Sequence, residues 1–290
     1  MKYLKLLRVH HYVKNLLIVL PLFFSGTLLS DTGKIINCIL AFICFCLLSS
    51  TIYIFNDIRD IEQDRNHPRK SQRPIASGAV SVKAGIVIIV LFLICACAIN
   101  FVFLSRQSVF GSIYLAAYLI INIFYSLYLK HIPIIDVSCV AVGFLIRLMY
   151  GAFVTNITIS NWLYLTVIVT SFYMALGKRR NELVNKGEKS ARKVLNKYTV
   201  GFLDKGTTIM LALTITCYAL WCLDSTTIAH YGTDRLVWTV PLVIMITLKY
   251  NLDIEINNDG DPVEILTHDK ALIALVAVYV CLMAALLYCF

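Results

Sequence analysis

The sequence predicts an all-α, polytopic membrane protein, and three observations support that fold class. Of its 290 residues, 59% are hydrophobic and only 15% are charged, whereas a soluble domain carries about 25% charged residues. The mean hydropathy is +0.77. Several continuous apolar runs approach the length of about 20 residues that a helix needs to cross a bilayer. They lack the period-two alternation of membrane β-strands, so the spans are predicted to be helices.

We predict nine transmembrane helices. They are expected to form one domain covering residues 1–290, because no flexible linker or low-complexity tract divides the chain. A short interfacial helix is expected over about residues 1–13, where Lys2, Lys5 and Arg8 stand among Leu and Tyr. The predicted spans are Leu16–Ser30, Ile35–Phe55, Val82–Leu104, Val109–Leu129, Ile134–Val154, Trp162–Leu176, Thr207–Leu223, Leu236–Leu248 and Ala271–Phe290.

Positive charge is unevenly divided between the two sides of this predicted topology. Of the 26 Lys and Arg residues, 22 fall in or beside the segments on the side of the N-terminus. The positive-inside rule therefore places the N-terminus and the long polar loops in the cytoplasm, and the C-terminus outside. Basic residues that flank spans favour a membrane surface, and nothing in the sequence indicates a nucleic-acid partner.

The most informative polar segment follows the second predicted span. Asn56, Asp60 and Asp64 are spaced i, i+4 and i+8, so a helix would place them on one face, with Asp57 close to it. Carboxylates on one face repel each other unless a cation is present, and Mg²⁺ prefers oxygen ligands together with substrate phosphates. The basic residues that follow could bind the remaining phosphate oxygens; they are Arg65, His67, Arg69, Lys70 and Arg73. The segment therefore predicts a Mg²⁺–diphosphate site at the membrane surface, against the alternative of a solvated loop.

The stretch Asn56–Gly78 closely resembles the first signature of the UbiA superfamily of membrane prenyltransferases. The resemblance implies nine transmembrane helices, an active site under a cytoplasmic cap, and Mg²⁺ as cofactor. It also implies that Asn56, Asp57, Asp60 and Asp64 bind Mg²⁺ and the diphosphate of the donor, with the three aspartates as the catalytic set.

The chain departs from the superfamily after the sixth predicted span, where a second aspartate-rich motif is usual. Residues 173–183 read Tyr-Met-Ala-Leu-Gly-Lys-Arg-Arg-Asn-Glu-Leu, with Glu182 as the nearest carboxylate to three consecutive basic residues. More fixed positive charge suits a substrate that carries more phosphate. We therefore expect Lys178, Arg179, Arg180 and Glu182 to contact substrate, whereas Lys186–Lys197 is interpreted as a positively charged flank of a span.

Four short segments are similar to the group of the superfamily that acts as decaprenyl-phosphate phosphoribosyltransferases. They are Lys178–Leu183, Val13–Asn15, Tyr125–Lys130 and Gly260–Glu264. The resemblance implies transfer of a 5-phosphoribosyl group from phosphoribosyl diphosphate (PRPP) to a polyprenyl phosphate, with release of pyrophosphate, in the synthesis of lipid-linked sugars for cell-envelope polysaccharide. The expected setting is a bacterial inner or plasma membrane.

Further substrate contacts are expected from Lys14, Lys70, Arg73, Tyr125 and Lys130. Arg147 lies inside the fifth predicted span, where a cation costs about 2.5–3.5 kcal/mol and should face a polar cavity or a partner. A contact with lipid phosphate and a structural ion pair both remain open for Arg147.

Two other functions agree with parts of the sequence. Prenyl transfer from a polyprenyl diphosphate to an aromatic or other small acceptor would fit the first motif, but the basic Lys178–Arg180 disfavours it. A transporter or a non-catalytic scaffold is disfavoured because the chain shows no clear internal repeat and its charges gather at one surface. The ten cysteines lie in apolar runs without CxxC spacing, which indicates packing rather than a metal site.

Overall fold

In the computed structural model, the regular secondary structure of the described residues is helical, and no β-strand occurs among them. The described residues are 2–66, 68, 70–104, 108–184, 193–256, 265 and 269–289. The α-helices are α1 (Lys2–Leu7), α2 (Leu20–Phe23), α3 (Thr32–Arg59), α4 (Ile61–Arg65), α5 (Val82–Ala98), α6 (Ser108–Leu127), α7 (Ile135–Thr155), α8 (Asn161–Val184), α9 (Val200–Leu223), α10 (Ser225–Tyr231), α11 (Val240–Ile256) and α12 (Lys270–Tyr288). Five 3₁₀ helices join them, at Val9–Ile18, Lys70–Gln72, Leu129–His131, Lys193–Lys197 and Arg235–Thr239, and a π-helix at Ile99–Phe103 extends α5.

Within the described residues, seven helical segments are long and apolar enough to cross a membrane. They are Thr32–Arg59, Val82–Phe103, Val109–Leu127, Ile135–Thr155, Val200–Leu223, Arg235–Glu255 and Lys270–Tyr288. Only 11% of the most apolar stretch of Val82–Phe103 is buried within the protein. A long helix whose apolar side chains are exposed on the protein surface is stable only when lipid surrounds it. The protein is therefore an integral membrane protein.

Two of the nine predicted spans do not appear as long apolar helices. The predicted span Leu16–Ser30 contains the end of a 3₁₀ helix and the four-residue helix α2, followed by turns. The predicted span Trp162–Leu176 lies within α8, which is 24 residues long but ends in the polar stretch Lys178–Glu182. Nine transmembrane helices therefore remain an expectation from the sequence.

The chain contains two compact units, and α7 contributes residues to both. Unit 1 comprises residues 1–127 and 146–158. Its core is formed by side chains of the 3₁₀ helix Val9–Ile18, α3, α6 and the second half of α7, including Ile18, Phe45, Tyr118 and Tyr150. Helix α3 begins at the side chain of Asp31, which accepts a hydrogen bond from the amide of Lys34 at 3.1 Å.

Unit 2 comprises residues 128–145 and 159–290. Helices α8 and α9 pack along each other there, and α11 packs against α12. Side chains cap three of its helices: Thr199 caps α9, Asp224 caps α10 and Asp269 caps α12. These caps satisfy amides that would otherwise lack partners in the first turn of each helix.

Candidate active site

The acidic segment lies where α3 ends and α4 begins. Asn56 and Asp57 are in the last turn of α3, Asp60 joins the two helices, and Asp64 lies in α4. The amide of Asp60 donates to the carbonyl of Asn56 at 2.9 Å, and the amide of Asp64 donates to the carbonyl of Asp60 at 2.8 Å. Helical hydrogen bonding therefore continues across the junction and keeps Asn56, Asp60 and Asp64 on successive turns.

Two of these carboxylates are buried and bridged by arginine. Asp57 and Asp64 are 1% and 2% exposed. Nη1 of Arg73 lies 2.6 Å from Oδ2 of Asp64 and 3.3 Å from Oδ1 of Asp57. Nη2 of Arg8 lies 2.5 Å from the same Oδ1 of Asp57. Two carboxylates and two guanidinium groups thus form a charge-balanced cluster, which offsets the cost of burying each charge.

Arg8 contacts the acidic segment, although the sequence predicted for it only a place in the N-terminal interfacial helix. Its φ angle of +52° lies in the left-handed region, which a non-glycine residue rarely adopts. Its guanidinium also lies 4.9 Å from the ring centroid of Tyr53, within the range of a cation–π interaction. The contact with Asp57 spans 49 positions, so no local pattern in the sequence could have indicated it.

Residues 8–18, which we call the N-terminal arm, are fixed to α3 by polar side chains. Tyr12 and Ser50 share a hydrogen bond of 2.7 Å between their hydroxyl groups, and the Ser50 hydroxyl donates to the carbonyl of Leu7 at 3.0 Å. Since the Ser50 proton is used by Leu7, the Tyr12 hydroxyl is the donor of the pair. Burial raises the pKa of Tyr12, which keeps that donor protonated.

Arg147 ties the same arm to the interior of unit 1. Its Nε donates to Oδ1 of Asn15 at 2.7 Å, and its Nη2 donates to the hydroxyl of Tyr118 at 2.9 Å. The guanidinium also faces the rings of Tyr118 and Phe45, at 4.7 and 5.6 Å from their centroids. Arg147 is 6% exposed. These contacts give it a structural role in holding Asn15, whereas a contact with substrate remains a prediction.

The end of α3 is also bonded to the end of α6. The hydroxyl of Ser126 donates to Oδ1 of Asn56, and Arg59 donates to the carbonyl of Ser126. Tyr125, a predicted substrate contact, is the half-buried neighbour of Ser126. Lys14, another predicted contact, is a half-buried residue of the N-terminal arm. Two of the predicted substrate contacts, Tyr125 and Lys14, thus belong to elements next to the acidic segment in unit 1.

The basic residues after the acidic segment are arranged in different ways. Arg73 reaches the carboxylates, and Lys70 lies half-buried in the short 3₁₀ helix three residues before it. Nε of Arg65 instead donates to the carbonyl of Ala76 at 3.1 Å, which fixes the return of the chain towards α5. His67 and Arg69 lie outside the described residues.

In unit 2, Arg179 is bound by carboxylates. Its Nε lies 2.6 Å from Oδ2 of Asp136, and its Nη1 lies 2.8 Å from Oε2 of Glu182. Tyr198 donates to Oδ1 of Asp136 at 2.6 Å and accepts from the amide of Ile134 at 2.7 Å. Burial and the hydrogen bond to Asp136 raise the pKa of Tyr198, so its hydroxyl stays a donor. Asp136 and Tyr198 thus connect α7, α8 and the segment before α9 through hydrogen bonds. Neither residue was predicted as a site residue.

The other predicted residues of unit 2 have different surroundings. Nε of Arg180 lies 2.7 Å from Oδ1 of Asp204, whose side chain is 46% exposed. Lys178 and Lys130 are half-buried. The segment Gly260–Glu264 lies outside the described residues, as does most of the stretch Lys186–Lys197.

The donor chemistry of the acidic segment fits a hard divalent cation. Its side chains offer carboxylate and amide oxygens, which are the ligands that Mg²⁺ prefers. The guanidinium of Arg73 lies between the carboxylates of Asp57 and Asp64. The space between these two carboxylates therefore already holds a positive charge. Among the described residues, no group of three or more His, Cys, Asp or Glu side chains converges in the present arrangement.

Comparison with known proteins agrees with the resemblance seen in the motifs. The model of the UbiA prenyltransferase family matches residues 18–266. A decaprenyl-phosphate phosphoribosyltransferase of Corynebacterium glutamicum is 33% identical over 96% of this chain and 84% of its own length. The protein of that name from Mycolicibacterium smegmatis is 30% identical over 98% of this chain and 92% of its own length.

Solved structures show the same fold. A UbiA homolog from Archaeoglobus fulgidus bound to GPP and Mg²⁺ matches with a TM-score of 0.73 at 20% identity, covering 99% of both chains. The family match extends over most of the chain, and the two relatives described above are named as transferases. The chain is therefore a transferase that belongs to the UbiA prenyltransferase family.

Proposed function

We propose that this enzyme transfers the 5-phosphoribosyl group from PRPP to a polyprenyl phosphate, decaprenyl phosphate or a similar lipid, and releases pyrophosphate. The observation that carries the proposal is the match to two proteins named for this activity, which covers 96% and 98% of the chain. The basic segment Lys178–Arg180, where an acidic motif is usual, supports it. Both substrates are anionic, which suits the cationic groups around the acidic segment.

In this proposal Asn56, Asp60 and Asp64 supply oxygen ligands to Mg²⁺. The cation would neutralise charge on the departing pyrophosphate and orient it. Asp57 was expected to be a fourth ligand, but its Oδ1 already contacts two guanidinium groups. Arg73 and Lys70 would bind diphosphate oxygens, for which a guanidinium offers paired donors.

The proposed reaction requires little proton transfer by protein side chains. The C1 carbon of the ribose becomes oxocarbenium-like as pyrophosphate departs, and the lipid phosphate is already an anion at neutral pH. No strong general base is required, so positioning and electrostatic stabilisation should dominate catalysis. Lys178, Arg179 and Arg180 remain the proposed phosphate contacts of unit 2, and the two arginines are oriented by carboxylates.

We propose that the acidic segment faces the cytoplasm of a bacterial plasma membrane. The support is the charge distribution, since 22 of 26 Lys and Arg residues lie in or beside the segments on the side of the N-terminus. Soluble PRPP would then reach the enzyme from the cytoplasm, and the lipid would reach it from the bilayer. The product would enter the synthesis of lipid-linked sugars for the cell envelope.

The test measures pyrophosphate release by the purified full-length protein. We expect release from PRPP only when polyprenyl phosphate and Mg²⁺ are both present, and we expect Asp60→Asn to abolish most of it. An Asp60→Asn variant with normal turnover would contradict the assigned role of the acidic segment. Pyrophosphate release from a polyprenyl diphosphate with an aromatic acceptor, and none from PRPP, would favour prenyl transfer instead.

A further inference from the structure

Arg8 and Asp57 form a pair whose role differs from that of the other acidic residues. Asp57 is 1% exposed, and its Oδ1 is approached by Arg8 at 2.5 Å and by Arg73 at 3.3 Å. An oxygen that already accepts from two cations is poorly placed to ligate a third. The Arg8 side chain, by contrast, is 19% exposed, so part of it reaches the surface at which a diphosphate would arrive.

The backbone at Arg8 is held in an unfavourable conformation by its surroundings. A non-glycine residue at φ +52° costs free energy and persists only where neighbouring contacts enforce it, which is common at functional sites. Two contacts beside this residue enforce the conformation. The carbonyl of Leu7 accepts from the Ser50 hydroxyl at 3.0 Å, and the carbonyl of Arg8 accepts from the amide of His11 at 2.8 Å. Farther along the arm, Asn15 accepts from Arg147 at 2.7 Å.

The form of the arm adds a second, independent constraint. A 3₁₀ helix seldom exceeds three or four residues, yet this one runs for ten residues from Val9 to Ile18. Such an element is retained when its tertiary contacts fix it, as those of Tyr12 and Asn15 do. The arm is therefore a rigid support that delivers one guanidinium to the acidic segment.

We propose that Arg8 binds a phosphate group of the substrate and that Asp57 is the positioning residue that orients Arg8 and Arg73. Asp57 would then not be a ligand of Mg²⁺. This inference rests on the proposed function, because it takes the substrate to be a diphosphate bound with Mg²⁺ at this segment. Asp57, which contacts two arginines, would orient them, whereas Asn56, Asp60 and Asp64 would offer oxygens to the metal. Asp64 also contacts Arg73, at 2.6 Å.

The test combines two binding measurements on the purified full-length protein. Mn²⁺ replaces Mg²⁺ and is followed by electron paramagnetic resonance, and pyrophosphate binding is measured by calorimetry at saturating Mg²⁺. We expect Asp60→Asn to weaken Mn²⁺ binding strongly and Asp57→Asn to leave it near the wild-type value. Arg8→Gln and Asp57→Asn should each weaken pyrophosphate binding about tenfold or more, as the loss of one charge-assisted hydrogen bond predicts.

The double variant decides whether the two residues act as one unit. Arg8→Gln combined with Asp57→Asn should bind pyrophosphate no more weakly than the poorer single variant, because residues that act through one contact are not additive. Arg8→Lys should recover part of the affinity that Arg8→Gln loses. Lys5→Gln removes a charge from the exposed face of α1 and serves as the matched control, with binding unchanged.

Three results would overturn the inference. They are a loss of Mn²⁺ affinity in Asp57→Asn comparable to that in Asp60→Asn, unchanged pyrophosphate binding in Arg8→Gln, and fully multiplicative effects in the double variant. Arg8→Lys keeps the charge that balances buried Asp57, so it tests the claim even if Arg8→Gln folds poorly. A wild-type protein that binds Mg²⁺ and pyrophosphate but forms no lipid-linked phosphoribose would refute the proposed function and leave this inference standing.

Discussion

Arg147 shows how a cation is accommodated in the apolar core of unit 1. A planar guanidinium can donate to Asn15 and Tyr118 at once and can face the rings of Tyr118 and Phe45. The ammonium group of lysine lacks both the planar set of N–H donors and the flat face, so it could not make the hydrogen bonds and the ring contacts together. From the sequence, a contact with lipid phosphate and a structural ion pair were both open for Arg147. The structure adds hydrogen bonds to neutral side chains of unit 1.

We therefore expect Arg147→Lys to destabilise the protein although the charge is kept. The loss should be about 1.5–3 kcal/mol, the range for a hydrogen bond that involves a charged group. Thermal unfolding in detergent, followed by the fluorescence of a thiol-reactive dye, measures it. Arg235→Lys at an exposed position is the matched control. Equal unfolding midpoints for the two variants would contradict the structural role of Arg147.

Asp269 gives a pH dependence whose sign follows from its contacts. The Lys249 ammonium, 2.6 Å from Oδ2, and the amide of Leu272 lower the pKa of Asp269. A lowered pKa means that the contact stabilises the folded state above the ordinary carboxyl range and is lost as the pH falls through the folded-state pKa.

Asp269→Asn should therefore lower the unfolding midpoint at pH 7, because asparagine can still cap α12 but cannot pair with Lys249 as an anion. The difference from wild type should shrink when both proteins are unfolded at about pH 3, near or below the usual aspartate pKa. A difference of the same size at both pH values would show that charge is not the cause.

At the scale of elements, the N-terminal arm depends on a close approach to α7. A Cβ atom added at Gly151 would lie 2.1 Å from the carbonyl oxygen of Ile18, which is a backbone atom and cannot turn away. Cys38 of α3 contacts the same oxygen at 3.7 Å. The end of the arm is therefore held between α3 and α7, and its other end carries Arg8.

Gly151→Ala should push the arm away from α7 and destabilise the protein by about 1–3 kcal/mol, as overpacking does. It should also weaken pyrophosphate binding if the arm positions Arg8. Gly201→Ala in α9 is the matched control, because a Cβ atom there meets nothing within 4 Å. A stable Gly151→Ala variant with wild-type binding would show that the close approach is dispensable.

The sequence could predict elements and motifs whose signal is local. Asn56, Asp60 and Asp64 follow helical spacing, and seven of the nine predicted spans correspond to long apolar helices among the described residues. The first predicted span was expected to be one long helix, but it contains the end of a 3₁₀ helix, the short α2 and turns. Hydropathy does not distinguish these structures from a continuous α-helix. The contacts of Arg8 with Asp57 and of Arg179 with Asp136 were missed because the paired residues are 49 and 43 positions apart.

The proposed function requires that the acidic segment face the cytoplasm. Ser77 follows that segment and is exposed, and Ser30 precedes α3 at the opposite end of the same helix and is also exposed. With the positive-inside rule, residue 77 lies in the cytoplasm and residue 30 outside.

We expect a cysteine at position 77 to react with a membrane-impermeant maleimide only in inside-out vesicles. A cysteine at position 30 should react only in intact cells, and the unsubstituted chain corrects for its own cysteines. The reverse pattern would place the acidic segment outside the cell and would contradict the proposed access of PRPP from the cytoplasm.

The central claim is that the ribose of PRPP becomes attached to the lipid. The most direct measurement supplies PRPP labelled in its ribose carbons, polyprenyl phosphate and Mg²⁺ to the purified protein, and follows the label by mass spectrometry of the extracted lipid. The account predicts a polyprenyl lipid that carries a phosphoribosyl group, absent when Mg²⁺ is chelated and strongly reduced in Asp60→Asn. An unlabelled lipid under conditions in which the protein remains folded and binds pyrophosphate would contradict it.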